Sequence, residues 1–224
     1  MIANVSHTAE ERGRAADAVV VVDYGVGNRG SITNMLRRLG VDAVVSSEHE
    51  DIRKASRIIL PGVGSFDRGM RNLRSRGLVE VLEEVVLGDR VPILGICLGM
   101  QLLALGSEEG SLPGLRWIAA DVVKFDFKDQ PQPLPVPHMG WNTVRMTRHT
   151  SLLDARSELW FYFLHSYHVQ CHHQTDVLGV STYGQEFVCA VQKANIFGVQ
   201  FHPEKSLRYG LSVLRGFISA GPDA

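Results

Sequence analysis

The chain has 224 residues, with 23 Lys and Arg against 24 Asp and Glu, so no bulk charge steers it to nucleic acid or an anionic membrane. Hydrophobic residues at 45% and charged ones at 21% describe an ordinary globular protein large enough for one substantial core. Three widely spaced cysteines, Cys97, Cys171 and Cys189, exclude a secreted disulfide framework and suit a reducing cytoplasm.

Residues 1–17 are polar and lack the apolar core of a signal peptide, so they read as a flexible extension ahead of a single domain over 18–224. No apolar run reaches the roughly 18 residues needed to span a bilayer. Ala18 to Val22 is a β-branched strand that ends at the glycine turn "DYGVGN". "SITNMLRRLG" then places Ile32, Met35, Leu36 and Leu39 at helical spacing, with Gly40 as the stop. "DAVVSS" is a second strand and "RIILPGVGSF" a third, ended by Pro61 and Gly62. "RNLRSRG" reads as a solvated helix face. "LVEVLEEVV" is a helix on Leu78, Val81, Leu82 and Val85, "VPILGI" the next strand, and Leu98 to Leu105 the helix after it. Strands alternating with helices predict an α/β fold with a mostly parallel central sheet flanked by helices. The second half differs: "DVVKFDF", "WNTVRM", "LWFYFLHSYHVQ", "DVLGVSTY", "FVCAVQ" and "IFGVQF" predict strands, several antiparallel. "KDQPQPLPVP" is an irregular loop, and "RYGLSVLRGFI" a closing helix.

Function collects where parallel strands end. There stands "GICLG", a strand feeding a helix through a single cysteine between glycines, which is the nucleophile-elbow pattern with sulfur for oxygen. The sharp turn needs small residues two before and two after Cys97, and the helix N-terminus favours the thiolate. A buried core cysteine is the plain alternative, but it needs no such glycines. A cysteine nucleophile requires a base, and the base an orienter. In "FHPEKS", His202 and Glu204 flank a stiffening proline and can align for those roles. Oxyanion donors are the N–H of Leu98 and a second from "PGVG", either Val63 or Gly64. "CHHQTD" mixes soft and imidazole ligands, but no second ligand pair accompanies it, so no metal is expected and a polar hairpin is preferred.

Together "PGVGSF", "GICLGMQ" and "FHPEKS" resemble the class I glutamine amidotransferases. The resemblance implies a flavodoxin-like fold, L-glutamine as substrate, no cofactor, and a triad of Cys97, His202 and Glu204. It also implies that Gly62, Gly64, Gln101, His165, Ser166 and Tyr167 hold the glutamine. "DYGVGN", "VPHMGWN" and "YFLHSYHV" are similar, within that family, to the glutaminase subunits of imidazole glycerol phosphate synthase. For those the implied partner is a (β/α)₈-barrel cyclase subunit of the HisF type, which consumes the ammonia. Asn28, Met139, Trp141, Tyr162 and Lys205 would then face that partner. Arg29 departs from the usual apolar residue, and "RGSITNMLRRLG" also resembles a sister branch that supplies a sugar amidotransferase of surface-polysaccharide biosynthesis. Two further readings are a free-standing cysteine hydrolase and an inactive interaction module; retention of Cys97, His202 and Glu204 disfavours the second.

Overall fold

A computed structural model describes residues 18–128, 132–153 and 159–220. The expected N-terminal extension, and residues 129–131 of the proline-rich loop, lie outside the described residues. Five strands form a parallel sheet in the order β2 (Ala43–Ser46), β1 (Val19–Val22), β3 (Arg57–Gly62), β4 (Ile93–Cys97), β12 (Ile196–Val199). The four valines of β1 show how the sheet is sandwiched. Val19 and Val21 point into one apolar cluster with Ile32, Leu36 and Phe217, while Val20 and Val22 point into another with Phe66, Leu82 and Leu98. Helices α1 (Arg29–Arg38) and α6 (Leu207–Ser219) cover the first face; α3 (Phe66–Ser75), α4 (Leu78–Glu83) and α5 (Leu98–Leu102) cover the second. No helix among the described residues is long and apolar enough to cross a membrane.

Gly40 ends α1 as expected. It sits at φ +76° and donates to the Arg37 carbonyl, while Val41 donates to Leu36, both at 3.0 Å. Two helices escaped the sequence reading. The short, highly charged α2 (His49–Lys54) buries only Ile52, too little to set a period. Only the solvated, arginine-rich tail of α3 stands out in the sequence; Phe66, Met70 and Leu73 form its buried stripe. α4 continues into one π-helical turn, Glu84–Gly88, that buries both Val85 and Val86. α5 stops short of Leu105 because another segment takes its last carbonyls. Leu115, Trp117 and Arg116 donate to those of Leu102, Leu103 and Ala104 at 2.8–3.0 Å.

Beyond β12 the sheet turns antiparallel through β11 (Gln185–Lys193), β10 (Val177–Tyr183), β7 (His138–Met146) and β8 (Leu159–His165). "LWFYFLHSYHVQ" is two strands rather than one. β8 ends before Ser166, and β9 (Tyr167–Cys171) leaves for β11 and for β6 (Ala120–Lys124), which also pairs with the short β5 (Gly106–Ser107). Ser166 is the corner, its carbonyl accepting from Phe125 N–H at 3.0 Å. "CHHQTD" is not a hairpin either. β9 and β10 flank β11 instead of pairing with each other, and a 3₁₀ turn, Gln174–Asp176, joins them. The expected fold class holds, with the carboxyl ends of β3, β4 and β12 side by side at one sheet edge.

Candidate active site

Gly95 and Gly99 make the elbow possible. A methyl group on Gly99 would stand 1.8 Å from the Leu60 carbonyl oxygen, and one on Gly95 only 2.7 Å from that of Gly99. With β3 and α5 this close, the chain turns through Cys97 at φ +55°, a strained position for a residue with a side chain. Gly62 pairs with Cys97 in the register and has no room for a methyl, which would lie 2.7 Å from Gly99 N. The Tyr24 hydroxyl donates to the Pro61 carbonyl at 2.6 Å and braces this end of β3.

His202 arrives from the end of β12. Its Nδ1 lies 2.9 Å from Glu204 Oε1, and both side chains are only 2% exposed. That contact leaves Nε2 for the Cys97 sulfur. Burial opposes a charge on the imidazole, but hydrogen bonds to Cys97 and Glu204 outweigh it and push His202 up to about 10. The backbone N–H of His202 donates to the Tyr162 carbonyl at 2.9 Å; Ser206 Oγ donates to the His202 carbonyl at 2.6 Å and accepts from Tyr162 N–H at 3.0 Å. α6 locks the turn from behind, with Gly210 against the Pro203 carbonyl.

Cys97 and His202 open on a cavity of about 280 Å³. Val63, Gly64, Leu98, Gln101, His165, Ser166 and Tyr167, all named from sequence, line it; Gly62 does not, being buried behind the elbow. Glu109, Pro137 and Leu164 also line it and were not singled out. Glu109 had a visible signal, an acidic pair in the glycine-rich stretch "GSEEGS" just past the elbow helix. Its Oε2 accepts from Phe66 N–H at 2.7 Å, so its carboxylate is held at the cavity rim.

The residues expected at a partner surface divide by strand parity. Met139 and Trp141 are 66% and 45% exposed, and Trp141 packs edge-on against Tyr162, its cross-strand neighbour. Lys205 Nζ lies 5.4 Å from the Tyr162 ring centre, beside the cavity. Asn28 is exposed at the start of α1, which packs against the Pro203–Lys205 turn. Arg29 bonds to the Asp23 carboxylate and ties down the "DYGVGN" loop.

The alternate residues of "HMGWN" face inward, which sequence reasoning missed. Asn142 donates to the Thr182 carbonyl (2.8 Å) and to His138 Nε2 (3.2 Å); His138 Nδ1 meets His165 Nε2 (3.0 Å), and His165 Nδ1 donates to the Tyr167 carbonyl (2.8 Å). Fixed acceptors at the far end assign each proton and leave both rings neutral. Burial agrees, pushing His138 down to about 4 and His165 to about 3. In "CHHQTD", burial drives the Cys171 thiol up to about 12, and His172 pairs with Asp121 at 2.7 Å. Among the described residues no group of three or more metal-ligating side chains occurs.

Residues 20–219 match the family described as glutamine amidotransferase class-I. The chain is 48% identical over 201 residues to imidazole glycerol phosphate synthase subunit HisH 2 of Pseudomonas aeruginosa, covering 89% of this chain and 98% of the relative. A protein of the same name from Methanococcus maripaludis is 47% identical with the same coverage. Among solved structures, a glutamine amidotransferase superposes with a TM-score of 0.68 at 20% identity, covering 90% of this chain and 97% of the other. PurLQS from Thermotoga maritima superposes at 0.67 and 16% identity, again over 90% and 97%, so both carry the fold alone. Matched along nearly all of its described length, the chain belongs to the class-I glutamine amidotransferase family, among the HisH subunits.

Proposed function

We propose that this chain is the glutaminase subunit of imidazole glycerol phosphate synthase and releases ammonia from L-glutamine. The observation that carries the reading is the strained Cys97 at the end of β4, facing a buried His202–Glu204 pair at the end of β12. Cys97 sulfur attacks the side-chain amide carbon, and its electron pair forms the new C–S bond. The tetrahedral oxyanion takes hydrogen bonds from Leu98 N–H and from Val63 or Gly64. As the C–N bond breaks, His202 gives its proton to the leaving nitrogen and ammonia departs. Water then attacks the glutamyl thioester, His202 takes its proton, and the sulfur leaves with the C–S pair. Glu204 keeps the imidazole oriented throughout. Gly64, Gln101 and the His165–Tyr167 corner hold the glutamine, with Gly62 serving the packing behind the elbow instead and Glu109 suited to the α-ammonium group of the substrate.

Residues 18–224 act as one catalytic domain. The partner is a (β/α)₈-barrel cyclase of the HisF type, received on Asn28, Met139, Trp141, Tyr162 and Lys205. The relatives' names, as subunits of imidazole glycerol phosphate synthase, favour a partner within that synthase over a sugar amidotransferase. Three free cysteines suit a reducing cytoplasm. Glutamine hydrolysis measured with and without the barrel subunit and its ligand tests the assignment. The isolated chain is expected to be slow, by roughly 10²–10³, if one oxyanion donor is completed only on docking. Equal rates refute the coupling. Rescue of a histidine auxotroph lacking this subunit supports the acceptor; failure to rescue despite intact Cys97-dependent glutaminase activity refutes it and points to the sugar-modifying branch.

A further inference from the structure

Gln200 has no part in the chemistry above, yet its side chain reaches the reacting sulfur. It is 0% exposed, sits two residues before His202, and its Nε2 lies 3.7 Å from Cys97 Sγ. The backbone reason is simple. Gln200 and Phe201 form the bend that follows β12, and on it Gln200 and His202 approach Cys97 from either side of Phe201, which packs into the core.

An amide beside sulfur could turn either atom toward it, but the network leaves one choice. The Tyr167 carbonyl can only accept, so the Gln101 atom 3.0 Å from it is the nitrogen. That nitrogen also donates to Gln200 at 3.1 Å, which makes the receiving atom Oε1. Gln200 must therefore present N–H to the sulfur. A carbonyl there would repel a thiolate; the N–H, with its nitrogen 3.7 Å from the sulfur, holds it.

We propose that Gln200 is a further catalytic residue, whose side-chain N–H steadies the Cys97 thiolate before attack and again when sulfur leaves the thioester. Gln101 acts through it as a positioning residue that fixes the orientation of the amide. The inference rests on Cys97 being the nucleophile. During hydrolysis of the thioester the C–S electron pair returns to sulfur, and that is when the Gln200 donor contributes most. The chain Tyr167–Gln101–Gln200–Cys97 also joins the wall of the cavity to the nucleophile, so the thiolate is set by the same corner that lines the glutamine site.

The test uses the full chain with its barrel partner and the variant Q200M, which keeps the length of the side chain and removes the donor. Alkylation of Cys97 by iodoacetamide at neutral pH, located by mass spectrometry, should slow about 10-fold. kcat should fall to a similar extent, with KM for glutamine within about 2-fold, whereas a merely structural role would raise KM and leave alkylation unchanged. Q200E should be slower than Q200M, since a carboxylate repels the thiolate. A folded Q200M that alkylates at the wild-type rate overturns the proposal. A measurement on the unmutated protein covers the case in which the variants do not fold. The Gln200 side-chain amide resonances should shift when iodoacetamide turns the thiolate into a thioether, and unmoved resonances overturn it. C97S separates the two readings: if it keeps glutaminase activity, the nucleophile assignment fails; if it is dead while Q200M matches wild type, only the role of Gln200 fails.

Discussion

Replacing Glu204 with glutamine probes how much of the site depends on one buried charge. The carboxylate contacts His202 Nδ1 at 2.9 Å with both side chains 2% exposed, so water screens the pair weakly. With charge centres about 4 Å apart and an effective dielectric near 20, the attraction to imidazolium is about 4 kcal/mol. A neutral amide retains a hydrogen bond worth about 1 kcal/mol. The net loss of about 2–3 kcal/mol corresponds to roughly 30- to 150-fold in kcat/KM. The amide nitrogen can also turn toward Nδ1 and select the wrong tautomer, which lowers the rate further. Because Glu204 helps hold the His202 proton, its loss should move the alkaline fall in activity to lower pH. Steady-state glutamine hydrolysis across pH, in the presence of the partner subunit, measures both effects, and thermal denaturation checks that the variant is folded. A folded E204Q within about 3-fold of wild type, with an unmoved alkaline limb, would falsify the orienting role.

Acid should weaken the fold through the paired imidazoles. His138 and His165 are depressed to about 4 and 3 from 6.5, so between those values the unfolded chain binds protons that the folded one refuses. Stability present above pH 6.5 is lost on the way down, by at most about 1.4 kcal/mol per pH unit for each ring; denaturant titrations should show H138Q with a shallower acid limb. His202, raised to about 10, contributes oppositely: its stabilisation is present below pH 6.5 and fades as pH climbs through 10. Gly99→Ala should cost about 3 kcal/mol or more in urea unfolding, since its methyl meets a backbone carbonyl at 1.8 Å; Gly30→Ala, with nothing within 4 Å, should gain about 0.4–1 kcal/mol. Equal effects at the two glycines would refute the elbow packing. Trp141→Ala should leave unfolding free energy within about 0.5 kcal/mol but weaken partner binding by about 2 kcal/mol in calorimetry. Unaltered affinity would remove Trp141 from the interface.

What was readable along the chain was whatever local physics repeats or punctuates. Four consecutive valines mark β1, Gly40 ends α1, and the glycines around Cys97 signal an elbow because no side chain fits there. His202 and Glu204 were legible as a pair from their spacing, but a 3₁₀ turn, Pro203–Lys205, and not the extended segment that spacing suggests, folds the carboxylate back onto Nδ1. The misses share a cause too. α2 carries one buried residue and so no period, and the end of α5 was decided by N–H groups from Leu115 to Trp117, which its own sequence does not contain. The break at Ser166 depends on β6 and β7 offering separate partners to the two halves of one apolar run.

Sequence by itself determined the alternation of strand and helix, the bare sulfur on its turn and the short-range pairing of His202 with Glu204. These depend on neighbours within a few residues. Tertiary structure alone decided that Cys97 meets His202 from across the chain, that Glu109 reaches the cavity rim, and that the inward half of "HMGWN" aligns His138 with His165. It alone aimed the Gln200 amide at sulfur. Such contacts join residues tens of positions apart, and only the order of strands in the sheet brings them within a hydrogen bond's reach.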